Sequence, residues 1–156
     1  MTRDLTHTSD VVSPLSAQAC PHRIAVCTTC GRRADGSPGA GARLLEHLRD
    51  AMASDPRRTG SFAAFTLVDV ACMAGCARPC TVAFQAEGKA SYLFGDIDPE
   101  ADVAALVAFA VQYAGLADGW CSASSRPPAL VNKTLARLPA LAPNIPASRS
   151  LEEKAR

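Results

Sequence analysis

Short apolar runs surround one amphipathic segment in the first two thirds of the chain. Residues 23–26 and 62–70 are apolar and predict two buried strands. Between them, leucine and methionine recur at helical spacing over 42–53, which predicts a helix. Residues 81–85 and 90–94 flank a Glu-Gly-Lys turn and predict a β-hairpin.

A second helix is predicted after the hairpin. Asp98 is a typical N-cap, Pro99 suits the first helical position, and an apolar face continues from Val103 to Ala114. Residues 131–138 are predicted to form a last short helix. The strand–helix–strand start favours a parallel pair with a right-handed crossover, and the hairpin adds antiparallel strands. The expected fold is a small mixed sheet with helices, close to a thioredoxin-like α/β sandwich.

Composition indicates one globular domain. Hydrophobic residues make up 48% of the 156 residues and charged residues 20%, which allows a real core. We expect the domain to span 23–138, between flexible tails over 1–22 and 139–156.

The charge balance and the hydropathy argue against nucleic acid and membrane as partners. Sixteen Lys and Arg balance fifteen Asp and Glu, whereas nucleic-acid-binding domains usually carry a basic excess. No apolar run approaches the roughly 20 residues that cross a bilayer. The N-terminal 19 residues lack the apolar centre of a secretory signal. We therefore expect a cytoplasmic protein, in which clustered cysteines indicate metal or redox chemistry.

Five of the seven cysteines follow the two strands that are predicted to be parallel. Cys27 and Cys30 follow the first strand, whereas Cys72, Cys76 and Cys80 follow the second. Ligands of open α/β sheets bind beyond the carboxyl ends of the strands, so the two cysteine loops are expected to face each other. Iron–sulfur clusters are held by thiolates, usually four. The pattern predicts a metal centre, with an iron–sulfur cluster as the first choice.

Glycine and arginine near the cysteines agree with this interpretation. Gly31 and Gly75 allow the backbone to approach a cluster closely. Arg32, Arg33 and Arg78 are expected to offset the charge of a thiolate-ligated cluster or to mark a docking surface for an acidic partner.

Other uses of the cysteines stay open at this point. Four thiolates also suit zinc, although the spacing of Cys72 and Cys76 is less usual for a zinc ribbon. A redox-active dithiol at Cys27 and Cys30 would need a helix N-terminus beside it, and a glycine-rich loop separates Cys30 from the predicted helix. Packing alone can explain one or two cysteines. Cys121 is expected to be such a residue.

Motifs for nucleotide cofactors and for hydrolysis are missing from the sequence. The chain has no phosphate-binding loop, dinucleotide fingerprint or nucleophile elbow. We therefore expect an electron carrier or a component of a reductase, without flavin or nicotinamide of its own. Cys20, beside His22 in the expected N-terminal tail, is not expected to be a ligand.

Residues 70–79, followed by the strand predicted from residue 81, resemble the second ligand loop of thioredoxin-like two-iron ferredoxins. The small iron–sulfur subunit of respiratory complex I belongs with that group. The resemblance implies that Cys72 and Cys76 form one ligand pair and that Cys27 and Cys30 form the other. Those ferredoxins place more residues between their first two ligands, and Cys80 is an extra cysteine. A four-iron cluster therefore stays open beside the favoured two-iron cluster, as does the choice of four ligands among five cysteines.

The span 24–138 also resembles a family of small bacterial proteins described as predicted metal-binding. Its marks here are the two cysteine loops, Tyr92 to Asp96, Asp118 to Trp120 and Arg126-Pro127. Members accompany genes for cobalt handling and cobalamin biosynthesis, which implies a redox step on a cobalt corrinoid. The alternative is a metal-delivery protein for zinc or cobalt. The expected partners are a reductase and an acceptor enzyme, with a homodimer implied by the ferredoxin resemblance.

Overall fold

One five-stranded mixed sheet organises the chain. The computed structural model describes residues 22–31, 34–59 and 64–141. Its strands are β1 (His22–Cys27), β2 (Phe65–Val70), β3 (Val82–Gln85), β4 (Ser91–Phe94) and β5 (Thr134–Leu138). Their order in the sheet is β2-β1-β3-β4-β5, with β1 and β2 parallel and the other pairs antiparallel. The predicted parallel pair, hairpin and thioredoxin-like α/β class are thereby confirmed.

Two helices pack on one face of this sheet. Helix α1 (Ala40–Ser54) connects β1 to β2 and contains the predicted helical segment. Helix α2 (Val103–Gly115) follows β4 and contacts α1, so both helices cover the same face. Asp98 Oδ1 accepts hydrogen bonds from the backbone amides of Glu100 and Ala101, at 2.9 and 2.8 Å. Asp98 thus caps a preceding turn, and the regular helix begins later than predicted.

The predicted helix over 131–138 is wrong. A short 3₁₀ turn (Pro128–Leu130) is followed by β5, which pairs antiparallel with β4. Leu, Ala and Arg are good helix formers in isolation, but a tertiary partner overrides such weak propensities. Here the partner is the otherwise unpaired edge of β4, with Ser91 opposite Leu138.

The core lies between the sheet and the helices. Its aromatic members are buried and meet mostly edge to face, with ring centroids 4.9 to 6.1 Å apart: Phe84, Tyr92, Phe94, Phe109 and Tyr113. Burying a side chain of this size contributes about 1.5–3 kcal/mol. This packing holds β3 and β4 against α2. Among the described helices, none is long and apolar enough to cross a bilayer.

Candidate metal centre

The two cysteine loops start side by side at the carboxyl ends of β1 and β2. Cys27 is the last residue of β1 and lies opposite Val70, the last residue of β2. Beyond the strands, the Thr28 amide donates to the Val70 carbonyl at 2.9 Å. The Thr29 hydroxyl donates to the Ala71 carbonyl. The loops are therefore joined by hydrogen bonds up to the point where the second set of cysteines begins.

Cys27 and Cys30 are buried beneath the first turn of α1. The Gly41 amide donates to the Cys30 carbonyl at 3.0 Å. A side-chain carbon at Gly41 would overlap the Cys27 carbonyl oxygen, so only glycine allows this approach. Although the glycine-rich loop separates Cys30 from α1 in the sequence, the N-terminus of α1 lies next to Cys27 and Cys30. The expectation that no helix lies beside the Cys27–Cys30 pair is therefore wrong.

The second loop presents its cysteines to solvent. Cys72 and Cys76 are both exposed, and Cys76 is near enough to Cys72 for a charge there to raise its pKa. Ala74, between them, has a φ of 58° and donates its amide to Cys72 Sγ at 3.4 Å. This left-handed conformation is strained for a residue with a Cβ. It turns the loop so that a backbone amide faces sulfur.

Cys80 lies behind the first pair, in the core. It is 2% exposed, and its backbone exchanges hydrogen bonds with Ile97, at 3.3 and 3.2 Å. Its thiol is near enough to Cys30 for that residue to raise its pKa, and Cys27 does the same to Cys30. Cys76 is near enough to Cys27 for their charges to interact. The five thiols thus form a row from the core to the surface: Cys80, Cys30, Cys27, Cys76, Cys72.

The surroundings shift the pKa values of Cys27 and Cys30 in opposite directions. Burial opposes ionisation of Cys27, but the Met73 amide and the nearby polar side chains of Thr29, Cys30 and Thr81 outweigh it and lower its pKa to about 7. Burial raises the pKa of Cys30, and its contact with Cys27 raises that pKa further. Cys27 is accordingly the thiolate that this end of the sheet stabilises most directly.

Cys80 and Cys76 resist ionisation for different reasons. Burial raises the pKa of Cys80 to about 11, with Cys30 adding to the effect. The charge of Cys72 raises the pKa of Cys76, which is exposed. A bound cation removes such a charge conflict between neighbouring thiolates, whereas it does not remove the burial of Cys80.

Thr81 completes the surroundings of Cys27, although nothing in the sequence had marked it. Its side chain is fully buried, and its carbonyl accepts a hydrogen bond from the Cys27 amide at 3.0 Å. Its hydroxyl has no hydrogen-bond partner among the described residues. Thr81 follows Cys80 at the start of β3, and threonine at a strand start is too common to have singled it out.

The expected arginine cluster is found only in part. Arg32 and Arg33 lie outside the described residues. Arg78 is paired with Asp96 at 2.6 Å and donates to the Asn132 carbonyl at 3.0 Å, so it is tied to the loop before β5. Arg43, on α1, is the cation that favours ionisation of Cys80. No sequence motif had pointed to Arg43.

The two remaining cysteines stand apart from the row. Cys121 follows α2, and its thiol and amide both contact the Tyr92 hydroxyl, at 3.4 and 3.0 Å. This agrees with the expectation that Cys121 packs rather than ligates. Cys20 lies outside the described residues.

The thiols at this end of the sheet are arranged in pairs. Within the described ranges, no three His, Cys, Asp or Glu side chains gather closely enough to hold a single metal ion. The thiols instead come in pairs, Cys27 with Cys30 and Cys72 with Cys76, and the two pairs are adjacent. In a two-iron cluster each iron takes two thiolates. The buried Thr81 hydroxyl and the Ala74 amide supply donors for sulfur at the same place.

Comparison with known proteins identifies a family and a similar fold. The family model described as "Protein of unknown function (DUF1636)" matches residues 24–140. The comparison with curated proteins finds no match. The solved structures that are similar include the wild-type thioredoxin-like [2Fe-2S] ferredoxin from Aquifex aeolicus, with 14% identity and a TM-score of 0.48. That match covers 74% of this chain and 97% of the ferredoxin.

A second structure of a thioredoxin-like [2Fe-2S] ferredoxin from Aquifex aeolicus is 20% identical to this chain. The match covers 56% of this chain and 76% of the ferredoxin, and has a TM-score of 0.42.

Proposed function

The chain belongs to the family described as "Protein of unknown function (DUF1636)", and we propose that it is an electron carrier whose thiolates hold a two-iron iron–sulfur cluster. The observation that carries this proposal is the meeting of two thiol pairs at the carboxyl edge of the sheet. Two adjacent pairs supply the four thiolates that a two-iron cluster requires, two for each iron.

We assign the ligands as Cys27, Cys30, Cys72 and Cys76. Cys80 is excluded from the ligand set because it is buried in the core and its backbone is hydrogen-bonded to Ile97. The assignment agrees with the resemblance of residues 70–79 to a ferredoxin ligand loop. The short loop between Cys27 and Cys30 is held by α1, whose Gly41 amide donates to the Cys30 carbonyl at 3.0 Å.

The unequal exposure of the two pairs supports a role in electron transfer. The Cys27 and Cys30 side is shielded by α1 and the sheet, whereas the Cys72 and Cys76 side faces solvent. When bound, the cluster would supply reversible one-electron chemistry, and its potential responds to hydrogen bonding, burial and exposure. The protein would bury one edge of the cluster, leave the other edge open for electron exchange, and place hydrogen-bond donors next to the sulfurs.

The physiological partners are a further part of the proposal. We expect a reductase to load the cluster and a partner enzyme or a corrinoid to receive the electron. The corrinoid rests on the resemblance to proteins that accompany cobalamin genes, and the residues at the site do not select it.

Anaerobic purification followed by an absorbance spectrum and counts of iron and inorganic sulfide tests the proposal. We expect brown protein with about two irons and two sulfides per chain. Electron paramagnetic resonance of the reduced form should then show a one-electron couple. Colourless protein that contains zinc and takes up no cluster on reconstitution would contradict the carrier function and favour a metal-delivery protein.

A further inference from the structure

Thr81 occupies the place beside Cys27 on the neighbouring strand. The β1–β3 register places Val26 opposite Val82, so Cys27 and Thr81 are the next pair beyond the regular ladder. The Thr81 carbonyl accepts from the Cys27 amide at 3.0 Å, which keeps the two residues together. A change in the Thr81 side chain therefore alters the surroundings of Cys27.

The Thr81 methyl group packs against the second cysteine loop. A side-chain carbon at Gly75 would overlap Thr81 Cγ2, so the loop backbone lies directly on this methyl group. Gly75 lies between Cys72 and Cys76 in the sequence. One buried side chain thus contacts the loop of the second thiol pair with its methyl group and has its hydroxyl beside the first pair.

The Thr81 hydroxyl is a buried donor without an acceptor. It is near enough to Cys27 to favour the thiolate, yet no described residue lies at hydrogen-bonding distance from it. Leaving a buried hydroxyl unsatisfied costs free energy, and native proteins leave few polar groups in this state. A bound group that accepts a hydrogen bond at this site would satisfy the Thr81 hydroxyl.

We propose that the Thr81 hydroxyl donates a hydrogen bond to a sulfur of the bound cluster, either the Cys27 thiolate or an adjacent sulfide, and thereby raises its reduction potential. The inference rests on the cluster proposed above. Reduction adds one electron to the cluster, and a donor facing sulfur stabilises the more negative, reduced form. Thr81 is accordingly a positioning and tuning residue, and the ligands stay the four cysteines.

The test is the midpoint potential of the cluster in Thr81→Val, which has nearly the same shape and no hydroxyl. We expect a more negative potential, with the equilibrium constant for reduction lowered about three- to tenfold, where tenfold equals 59 mV for one electron. Thr81→Ser keeps the donor and should stay near the wild type. Thr66→Val is the matched control, because it makes the same change at an exposed position at the start of β2, away from the cysteines, and should leave the potential unchanged.

A second measurement uses the protein without its cluster. Removing an unsatisfied buried hydroxyl should leave the urea midpoint of cluster-free Thr81→Val equal to that of the wild type or higher. A clearly lower midpoint would show that the hydroxyl already has a structural partner and would overturn the inference.

The outcomes separate this inference from the proposed function. A wild-type protein that assembles the cluster, together with Thr81→Val at an unchanged potential, overturns the role of Thr81 and leaves the carrier proposal standing. A Thr81→Ser potential that moves as far as that of Thr81→Val also overturns it. A wild-type protein that assembles no cluster overturns both proposals.

Discussion

At the scale of single residues, the ligand assignment depends on how exposed each of the five thiols is and on which groups surround it. Cys76 is exposed and contacts Cys72, so it needs no rearrangement of the core to meet a metal ion. Cys76→Ser should therefore fold normally and lose the cluster, because an alcohol is a poor substitute for a soft thiolate ligand. Iron content and the visible spectrum of anaerobically purified protein measure the effect. A wild-type spectrum would remove Cys76 from the ligand set.

Cys80 and Cys121 provide the matched controls for that variant. Cys80→Ala should retain the cluster at a small cost in stability, since it removes a buried sulfur from the core. Cys121→Ser should also retain it, because Cys121 contacts the Tyr92 hydroxyl. Loss of iron from Cys80→Ala, with normal circular dichroism, would show that the inner thiol is a ligand.

Residue types visible in the sequence were enough to predict where thiols gather, but not to describe the surroundings of those thiols. Cys27 and Cys72 could be found because thiols in two short groups are rare by chance. Thr81 and Arg43 carry no such signal, since a threonine in a strand or an arginine in a helix has many uses. Their place beside Cys27 and Cys80 follows from the β1–β3 register and from the packing of α1.

At the scale of secondary structure, α1 fixes the geometry of the first cysteine pair through a glycine. Gly41→Ala would place a methyl group on the Cys27 carbonyl, where only backbone atoms can give way. Overpacking of this kind costs about 1–3 kcal/mol. We expect a lower urea midpoint and impaired cluster assembly.

Gly115→Ala is the natural control, because it changes the last residue of α2, where a side-chain carbon would meet nothing within 4 Å. Alanine favours helix by up to about 1 kcal/mol over glycine, so stability should stay equal or rise. Equal effects at Gly41 and Gly115 would contradict the close contact between α1 and the first cysteine pair.

The elements themselves were predictable to the extent that their partners are near in sequence. The β3–β4 hairpin has a local turn signal, and α1 has an apolar stripe, so both were predicted. Strand β5 has neither signal, and its structure comes from pairing with β4, about 40 residues earlier in the chain. Likewise, the glycine-rich loop after Cys30 gave no sign in sequence that it returns α1 to the cysteines.

At the scale of the whole molecule, the two ends of the sheet differ in chemistry. The carboxyl ends of β1 and β2 hold the thiols, whereas the start of β1 holds His22 among aromatic rings. His22 lies 4.9 Å from the ring of Phe65 and 5.7 Å from that of Tyr113, by centroids. Both of its ring nitrogens are buried and have no hydrogen-bond partner among the described residues. The folded chain therefore holds a buried imidazole at the opposite end of β1 from Cys27.

This imidazole makes the stability of the whole fold depend on pH. Burial, and then the charge of Lys89, lower the pKa of His22 below its usual value of 6.5. The unfolded chain therefore binds a proton at a higher pH than the folded chain does, so stability falls as pH drops below about 6.5 and levels off below the folded pKa. Urea unfolding of the wild type and His22→Phe at pH 7 and pH 5.5 measures the effect. The phenylalanine keeps the aromatic contacts without titrating, so its midpoint should fall less between the two values. An equal fall in both proteins would show that other groups cause the acid sensitivity.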